Sequence, residues 1–314
     1  MATAGAVPPS EADRLRRRSV PGRSRTTGPV RHRPSTGRAA LGGGAYHLFS
    51  TILALAFLFP LVWALLNSVK PAEEANQQPP TWFPHTLSLG NYARLRDFGE
   101  GITTYAVNSV IVSLLTVAVT VVVCVLGGYG FARFEFGGKR PLFVAVLTIL
   151  MVPYATILLP LYIVLGRLHL QNSLIGLSLV LVMFQLPFGT FMMRNSFEAI
   201  PRELEESALV DGCSNVGALR HVALRIVSPG VVTVGLFAFL ASWNEFLAPL
   251  IFLNDGSKYT LPIMLVNIRS GAYGAVDFGA LQAGVVVAIL PCLVLYLVLQ
   301  RFYVSGLVNG ALRG

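Results

Sequence analysis

Six long stretches of the chain carry almost no charge, and each is long enough to cross a membrane. A helix of about 20 apolar residues spans the roughly 30 Å of hydrocarbon in a bilayer. A strand with an open edge would leave backbone polar groups unpaired in lipid, so each stretch is predicted to be helical. The pattern therefore predicts an all-α polytopic membrane protein with six transmembrane helices. The predicted spans are Tyr46–Leu66, Thr104–Gly128, Leu142–Gly166, Ser173–Met193, Ser228–Leu250 and Gly279–Leu299.

Basic residues are distributed unevenly between these spans. If the N-terminus is cytoplasmic, 18 of the 24 Lys and Arg residues lie inside and six lie outside, as the positive-inside rule requires. Nine of them precede Ala45, in a segment rich in Pro, Gly, Ser and Arg that has too little apolar surface to fold. We predict a disordered basic cytoplasmic tail at 1–45, a membrane domain at 46–303 and a cytoplasmic C-terminal tail at 304–314. We interpret the basic tail as a topology signal rather than a nucleic-acid site.

Composition excludes several classes of function. Only 12% of the residues are charged, about half the share in a soluble domain. The three cysteines and five histidines form no CxxC, HExxH or other metal-ligand spacing, so no metal site is expected. No phosphate-binding GxxxxGK[ST] loop is present, and no group of candidate catalytic residues lies together on one loop. We therefore expect a non-catalytic chain that holds no cofactor and does not bind ATP in the usual way.

The longest inside loop, 194–227, is patterned as two short helices around a turn. Pro201 stands where the first helix would begin, at a position that tolerates its missing N–H. The helix is predicted over Arg202–Val210 and would end at Gly212, which can adopt a left-handed conformation. Ser214 can then cap a second helix that leads into span five. Three carboxylates fall in the first turns, where the helix dipole favours them: Glu203, Glu205 and Glu206.

The segment from Glu206 to Gly212 resembles the EAA motif of ABC importer permeases, Glu-Ala-Ala, three residues, then Gly. Ser207 replaces an alanine of that pattern, and Arg225 replaces a proline that follows it. The resemblance implies that Arg202–Val210 is a coupling helix seated in a cleft of a separate ATPase subunit. The residues it assigns to this coupling are Glu203, Glu206, Ser207, Ala208, Asp211 and Gly212.

Other segments extend the resemblance over nearly the whole chain after Tyr46 and narrow it to the carbohydrate, maltose-type permeases. They are Asn67–Pro71, Gly128–Phe134, Ser242–Leu250, Tyr259–Pro262 and Gln300–Gly314, the last similar to the shorter permease of such systems. The resemblance implies a type I ABC importer fold in the bacterial cell membrane. It also implies three kinds of partner: an ATPase dimer, a second homologous permease and an extracytoplasmic solute-binding protein.

Span five carries Glu245, the one acidic residue within the six predicted spans. A charge in a span is costly and usually faces a cavity or a partner. Trp243 and Asn244 beside it offer a stacking face and an amide, which suit a sugar. Consecutive residues point in different directions around a helix, so these three side chains cannot all face one pore. Two interpretations stay open for them, a substrate path and a subunit interface.

The sequence leaves two alternatives to a sugar importer. One is an ABC permease for a different solute, such as an amino acid, a polyamine or phosphate, which would share the docking loop. The other, less favoured, is a secondary transporter driven by an ion gradient, which usually carries several buried ionisable residues or inverted repeats.

Overall fold

The computed structural model describes residues 36–271, 274 and 276–311, with the backbone alone at 36–45 and 301–311. The described residues form helices and short connections and contain no strand. The described residues up to Phe57 belong to one unit, and the described residues from Leu58 onward belong to a second. The helices are α1 Thr36–Ser68, α2 Ala72–Ala75, α3 Gly90–Arg96, α4 Ile102–Arg133, α5 Lys139–Thr148, α6 Tyr154–Arg167, α7 Leu174–Glu198, α8 Arg202–Val210, α9 Asn215–Ala218, α10 Leu224–Ile226, α11 Ser228–Trp243, α12 Leu247–Phe252, α13 Leu261–Ser270 and α14 Phe278–Ala311.

Four of these helices contain an unbroken segment that is long and apolar enough to cross a membrane. The segments are Tyr46–Ser68, Ile102–Arg133, Leu174–Glu198 and Phe278–Gln300, of 23 to 32 residues. At 1.5 Å per residue even the shortest reaches about 34 Å, more than the hydrocarbon thickness. They correspond to predicted spans one, two, four and six.

The third and fifth predicted spans are broken rather than continuous. In span three, α5 and a 3₁₀ turn end at Met151, and α6 begins at Tyr154 at an angle of 107°. Pro153 lies in this break, where its ring and missing N–H prevent the helix from continuing. In span five, α11 ends at Trp243 after 16 residues, and α12 begins only at Leu247. The prediction of one uninterrupted helix over Ser228–Leu250 is therefore wrong at 244–246.

The first and last helices of the chain, α1 and α14, extend beyond the ends predicted for spans one and six. The backbone is already helical at Thr36, so the predicted disordered tail is wrong for 36–45, although four of these ten residues are glycines, which disfavour helix. The last helix continues to Ala311 instead of ending at Leu299, and Pro291 lies within it. The predicted C-terminal tail is therefore helical through Ala311, and 312–314 and 1–35 lie outside the described residues.

The packed centre of the second unit is the long contact between α4 and α7, with α11 against both. Small residues permit this close approach. A Cβ atom on Gly128 of α4 would lie 2.5 Å from the Met193 Cβ of α7, and one on Gly189 of α7 would lie 2.5 Å from the Cys124 Sγ of α4. A cluster of buried apolar residues near the C-terminal ends of α4 and α7 includes Phe197. Thus α4, whose last residue is Arg133, is held firmly by the rest of the unit.

Candidate functional site

The helix predicted to be the coupling helix, α8, is attached to the end of α4 by a buried ion pair. The Glu205 Oε1 atom accepts from the Arg133 Nε and Nη2 atoms at 2.8 and 2.6 Å. Its other oxygen accepts from the Tyr129 hydroxyl at 2.9 Å. The Arg133 Nη2 also donates to the Ile200 carbonyl at 3.1 Å. Both charged side chains are only 9% exposed. We call Glu205, Arg133 and Tyr129 the α8 anchor.

The ends of α8 agree with the sequence prediction. The helix covers Arg202–Val210 and begins directly after Pro201. Gly212 has φ +89°, and its N–H donates to the Leu209 carbonyl, while the next N–H, that of Cys213, donates to the Ala208 carbonyl. These two bonds form a Schellman motif, which closes a helix through a left-handed residue. The predicted cap of the following helix is also present, because the Ser214 Oγ accepts from the Gly217 N–H at 3.1 Å.

The surface of α8 opposite the anchor is open. Of the predicted coupling residues, Ala208 is half-buried and the other five are exposed: Glu203, Glu206, Ser207, Asp211 and Gly212. Two valines flank the Gly212 turn, Val210 at 88% exposure and Val216 at 72%. An apolar tip of this kind beside carboxylates provides both contact area and charge for a partner.

The path from this turn into span five is bent, although Arg225 replaces the family proline. A π-helical segment, Leu219–Ala223, and α10 lead to Val227, where the direction changes by 78°. The bend falls directly before Ser228, and Pro229 occupies the first turn of α11. Arg225 itself lies within α10 and is exposed. The break is therefore set by the residues around Pro229, not by the position of Arg225.

The structure separates the three neighbouring residues of span five. Trp243 is 3% exposed, and its indole N–H donates to the Ala288 carbonyl of α14 at 2.9 Å. Asn244 is exposed, and its side chain donates to the Leu240 carbonyl. Glu245 is half-buried, and its Oε1 atom accepts from the first backbone N–H groups of α12, at 2.8 and 3.0 Å. Trp243 is thus packed inside this chain, while the other two reach its surface.

A cavity of about 230 Å³ lies where the two broken spans meet. Its polar lining consists of Tyr154, Gln185, Ser242 and Glu245. The Tyr154 hydroxyl is inaccessible to solvent and interacts with the Glu245 carboxylate. Since Tyr154 begins α6 directly after one break and Glu245 lies in the other, both helix interruptions deliver polar groups to the same space.

Sequence reasoning missed the α8 anchor. It treated Glu205 as a carboxylate that favours a helix N-terminus and Arg133 as a charge that sets topology. Tyr129 and Arg133 are four residues apart and therefore share one face of α4, which is a usable signal for a polar site at its end. Nothing in the sequence indicates that Glu205, more than 70 residues away, is the partner. Tyr154 and Gln185 were missed for the same reason.

Comparison with known proteins identifies the family. The model for the inner membrane component of binding-protein-dependent transport systems matches residues 124–305. The sulfoquinovosyl glycerol transport system permease protein SmoH of Agrobacterium fabrum is 35% identical over 265 residues, which cover 84% of this chain and 92% of that protein. The arabinooligosaccharides transport system permease protein AraQ of Bacillus subtilis is 34% identical, over 86% and 95% of the two chains. The diacetylchitobiose uptake system permease protein DasC of Streptomyces coelicolor is 31% identical, over 84% and 95%.

A solved structure has the same fold. It is a bacterial ABC transporter involved in the import of the acidic polysaccharide alginate, with a TM-score of 0.71, 20% identity, and coverage of 84% of this chain and 97% of that one. The type I permease fold expected from the sequence agrees with this match. The family match spans α8, its anchor on α4 and both broken spans. The chain belongs to the family of membrane permease subunits of binding-protein-dependent ABC transport systems.

Proposed function

We propose that this chain is the non-catalytic permease subunit of an ATP-driven importer that moves a glycoside or oligosaccharide into the cytoplasm. The names of the relatives support a sugar cargo, since they specify sulfoquinovosyl glycerol, arabinooligosaccharides and diacetylchitobiose. A non-sugar cargo or an ion-coupled mechanism has no comparable support.

The observation that carries the proposal is the two-sided character of α8. One side is joined to α4 through the buried α8 anchor, and the other side exposes Val210 and the carboxylates around Gly212. A helix that is rigidly held and also open on its outer face is suited to transmit force. Movement of an ATPase that grips α8 would pass through Arg133 to α4, and from there to α7 and α11, which pack against α4.

The remaining partners follow from the same scheme. An ATPase dimer would bind ATP and Mg²⁺ and receive α8, so this chain would need no cofactor of its own. A second homologous permease would complete the pathway, and an extracytoplasmic binding protein would deliver the sugar. The excess of basic residues on the predicted inside segments supports cytoplasmic termini and a location in the cell membrane.

Within the membrane, the cavity at the two helix breaks supports a substrate path past Glu245. Carboxylate, amide and hydroxyl groups together accept and donate the hydrogen bonds that a sugar offers. Asn244 is exposed beside it, at the pathway or at the interface with the second permease. Trp243 has a structural role in the contact with α14 in this proposal.

Substitution of Val210 tests the docking role of α8. Val210→Asp places a charge on the exposed apolar tip without touching the α8 anchor, so we expect the permease to fold but to lose its ATPase on affinity purification. Leu87→Asp is the matched control, because Leu87 is 79% exposed in the segment between the first two spans, on the predicted outer side. If Val210→Asp retains the ATPase as fully as Leu87→Asp does, α8 is not the docking element.

Uptake by cells tests the cargo. A strain that lacks this gene should lose ATP-dependent uptake of one labelled disaccharide or oligosaccharide in a panel that also contains amino acids, polyamines and phosphate. Wild-type permease should restore it, and Val210→Asp should not. Loss of uptake of an amino acid, a polyamine or phosphate, with sugar uptake unchanged, would contradict a sugar cargo.

A further inference from the structure

A large open cleft lies beside α8, and the scheme above assigns no ligand to it. Its volume is about 1230 Å³. It is lined by the end of α4, the connection 134–138, the start of α5, the end of α7 and the first residues of α8. Because α4 and α7 end here and α5 begins here, the cleft lies at one membrane–water boundary. We call it the interfacial cleft.

Cations dominate the polar part of the interfacial cleft. Five basic side chains line it, against three carboxylates: Arg133, Lys139, Arg140, Arg194 and Arg202, with Glu135, Glu198 and Glu203. Three of the cations have an ion-pair partner, in Glu205 for Arg133, Glu135 for Lys139 and Glu198 for Arg194.

Two arginines are left without such a partner. Within the described residues, neither Arg140 nor Arg202 forms an ion pair within 4.0 Å. The positive potential of the cleft affects Glu135, whose pKa is held below its usual value by a hydrogen bond and the charge of Lys139, and further by Arg202 and Arg140. Glu203 is the one lining carboxylate without a pair, so the cleft retains an excess of positive charge.

The other part of the cleft is apolar and is formed mainly by α5 and by the connection that precedes it. Lys139 and Arg140 open α5, and Phe143 and Val144 follow one turn later. Phe136 and Val144 are exposed at this site, and Phe143 also packs under the Arg194 guanidinium at 4.4 Å. A ligand here would therefore meet cations at the water boundary and apolar side chains on the membrane side.

We propose that the interfacial cleft binds an anionic phospholipid of the adjoining leaflet. Its phosphate would lie between Arg140 and Arg202, and the upper part of an acyl chain would lie along Phe136 and Val144. Basic pockets between membrane helices on the cytoplasmic side have the charge and position to bind anionic headgroups. A soluble anion would leave the apolar half exposed, which favours a lipid over free phosphate. The proposal uses the orientation of the proposed function but does not depend on an ATPase bound to α8.

Lipid titration of the purified transporter tests this site. The chain, isolated with the subunits that accompany it and then delipidated in a neutral detergent, is titrated with phosphatidylglycerol, phosphatidylcholine or inorganic phosphate. Native mass spectrometry counts bound lipid, and the rise of the thermal unfolding temperature with lipid concentration gives the affinity. We expect retention of phosphatidylglycerol but not of the other two, and about fivefold weaker binding after Arg140→Gln, the loss expected for one cation at a membrane surface.

Arg225→Gln is the matched control, because Arg225 is exposed on the same predicted side and does not line the cleft. It should bind phosphatidylglycerol like the wild type, while Arg202→Gln should weaken binding as Arg140→Gln does. Equal binding by all variants, or equal binding of phosphatidylglycerol and phosphatidylcholine, would overturn the proposal. If Arg140→Gln loses the ATPase but keeps the lipid, the cleft belongs to the ATPase interface instead. Loss of ATPase after Val210→Asp has no bearing on this result.

Discussion

A polar contact site lies near each end of α4, and the two sites are of different kinds. At the C-terminal end of α4, the α8 anchor joins Glu205 to Arg133 and Tyr129 in a site that is nearly closed to solvent. Near its start, α3 carries Asn91 and Arg94. The Asn91 amide donates to the Ser68 and Lys70 carbonyls at 2.8 Å, and Arg94 pairs with Asp277 at 2.6 Å. We call Asn91, Arg94 and Asp277 the α3 clamp.

The difference between the two sites lies in the exposure of their ion pairs. The Arg94 and Asp277 side chains are 37% and 27% exposed, against 9% for both partners in the α8 anchor. Removal of one partner from a buried pair leaves an uncompensated charge, whereas a partly exposed pair returns to water at little cost. The helix α8, which we propose transmits force, is thus held by the contact that is more costly to break, and α3 is held by the weaker one.

The largest expected effect is that of Arg133→Ala. Among the described residues, it leaves the buried Glu205 carboxylate with Tyr129 as its only partner, so we expect a loss of about 3–5 kcal/mol in stability and increased hydrogen exchange in α8. Thermal unfolding and hydrogen exchange in detergent measure both. Arg133→Met combined with Glu205→Leu should recover most of the stability, because no buried charge remains. If the double variant is as unstable as Arg133→Ala, the cost does not come from the unpaired charge.

A smaller loss of stability is expected for Tyr129→Phe. It removes one hydrogen bond to a charged acceptor but keeps the ring and the ion pair, so the expected cost is about 2 kcal/mol. Tyr92→Phe is the matched control near the other end of α4, since the Tyr92 hydroxyl donates to the neutral Ser68 Oγ at 3.0 Å. Its cost should be about 1 kcal/mol. Equal thermal destabilisation by the two variants would remove the proposed distinction between the sites.

Disruption of the α3 clamp should lower the stability by less than either change in the α8 anchor. Arg94→Ala is expected to lower stability by about 1 kcal/mol at most, because the pair with Asp277 is partly open to solvent. Arg96→Ala provides the baseline, since Arg96 and its neighbour Asp97 are both largely exposed. Thermal unfolding at low and high salt checks the result, and the effect of Arg94→Ala should shrink in high salt. A loss as large as that of Arg133→Ala would contradict the comparison.

The smallest effect is a pH dependence from Asp277. Burial raises the pKa of this carboxyl, but hydrogen bonds from Arg94 and the Ala280 N–H and the charge of Arg94 outweigh it, so the pKa lies below its usual value. A depressed folded-state pKa adds stability above the unfolded value of about 3.9, and that stability is lost as the pH falls through the folded value. Thermal unfolding of the wild type and Asp277→Asn should therefore differ at pH 6 to 7 and converge as the pH falls below about 4. A difference in thermal stability that stays constant across this pH range would exclude Asp277 as the source of the pH dependence.

Long apolar stretches and local helix signals were sufficient to predict much of this fold. Apolar stretches near 20 residues located four continuous spans, and Pro201, Gly212 and Ser214 located α8 and its neighbour. Each of these signals lies within one continuous segment of the chain, which is why the sequence displays them. The breaks at 152–153 and 244–246 were harder to predict, because prolines within the other spans, such as Pro187 in α7, do not stop their helices.

The sequence by itself determined that this protein is helical, lies in a membrane and carries a short capped helix on a long loop, because each of these properties follows from residues close together in the chain. The tertiary structure alone decided what that helix is attached to. Glu205 becomes an anchor only because the packing of α4 on α7 brings Arg133 and Tyr129 to it, and Tyr154 meets Glu245 in one cavity only because two separate helices break at the same place. Contacts between residues that are distant along the chain are set by packing, which no local pattern encodes.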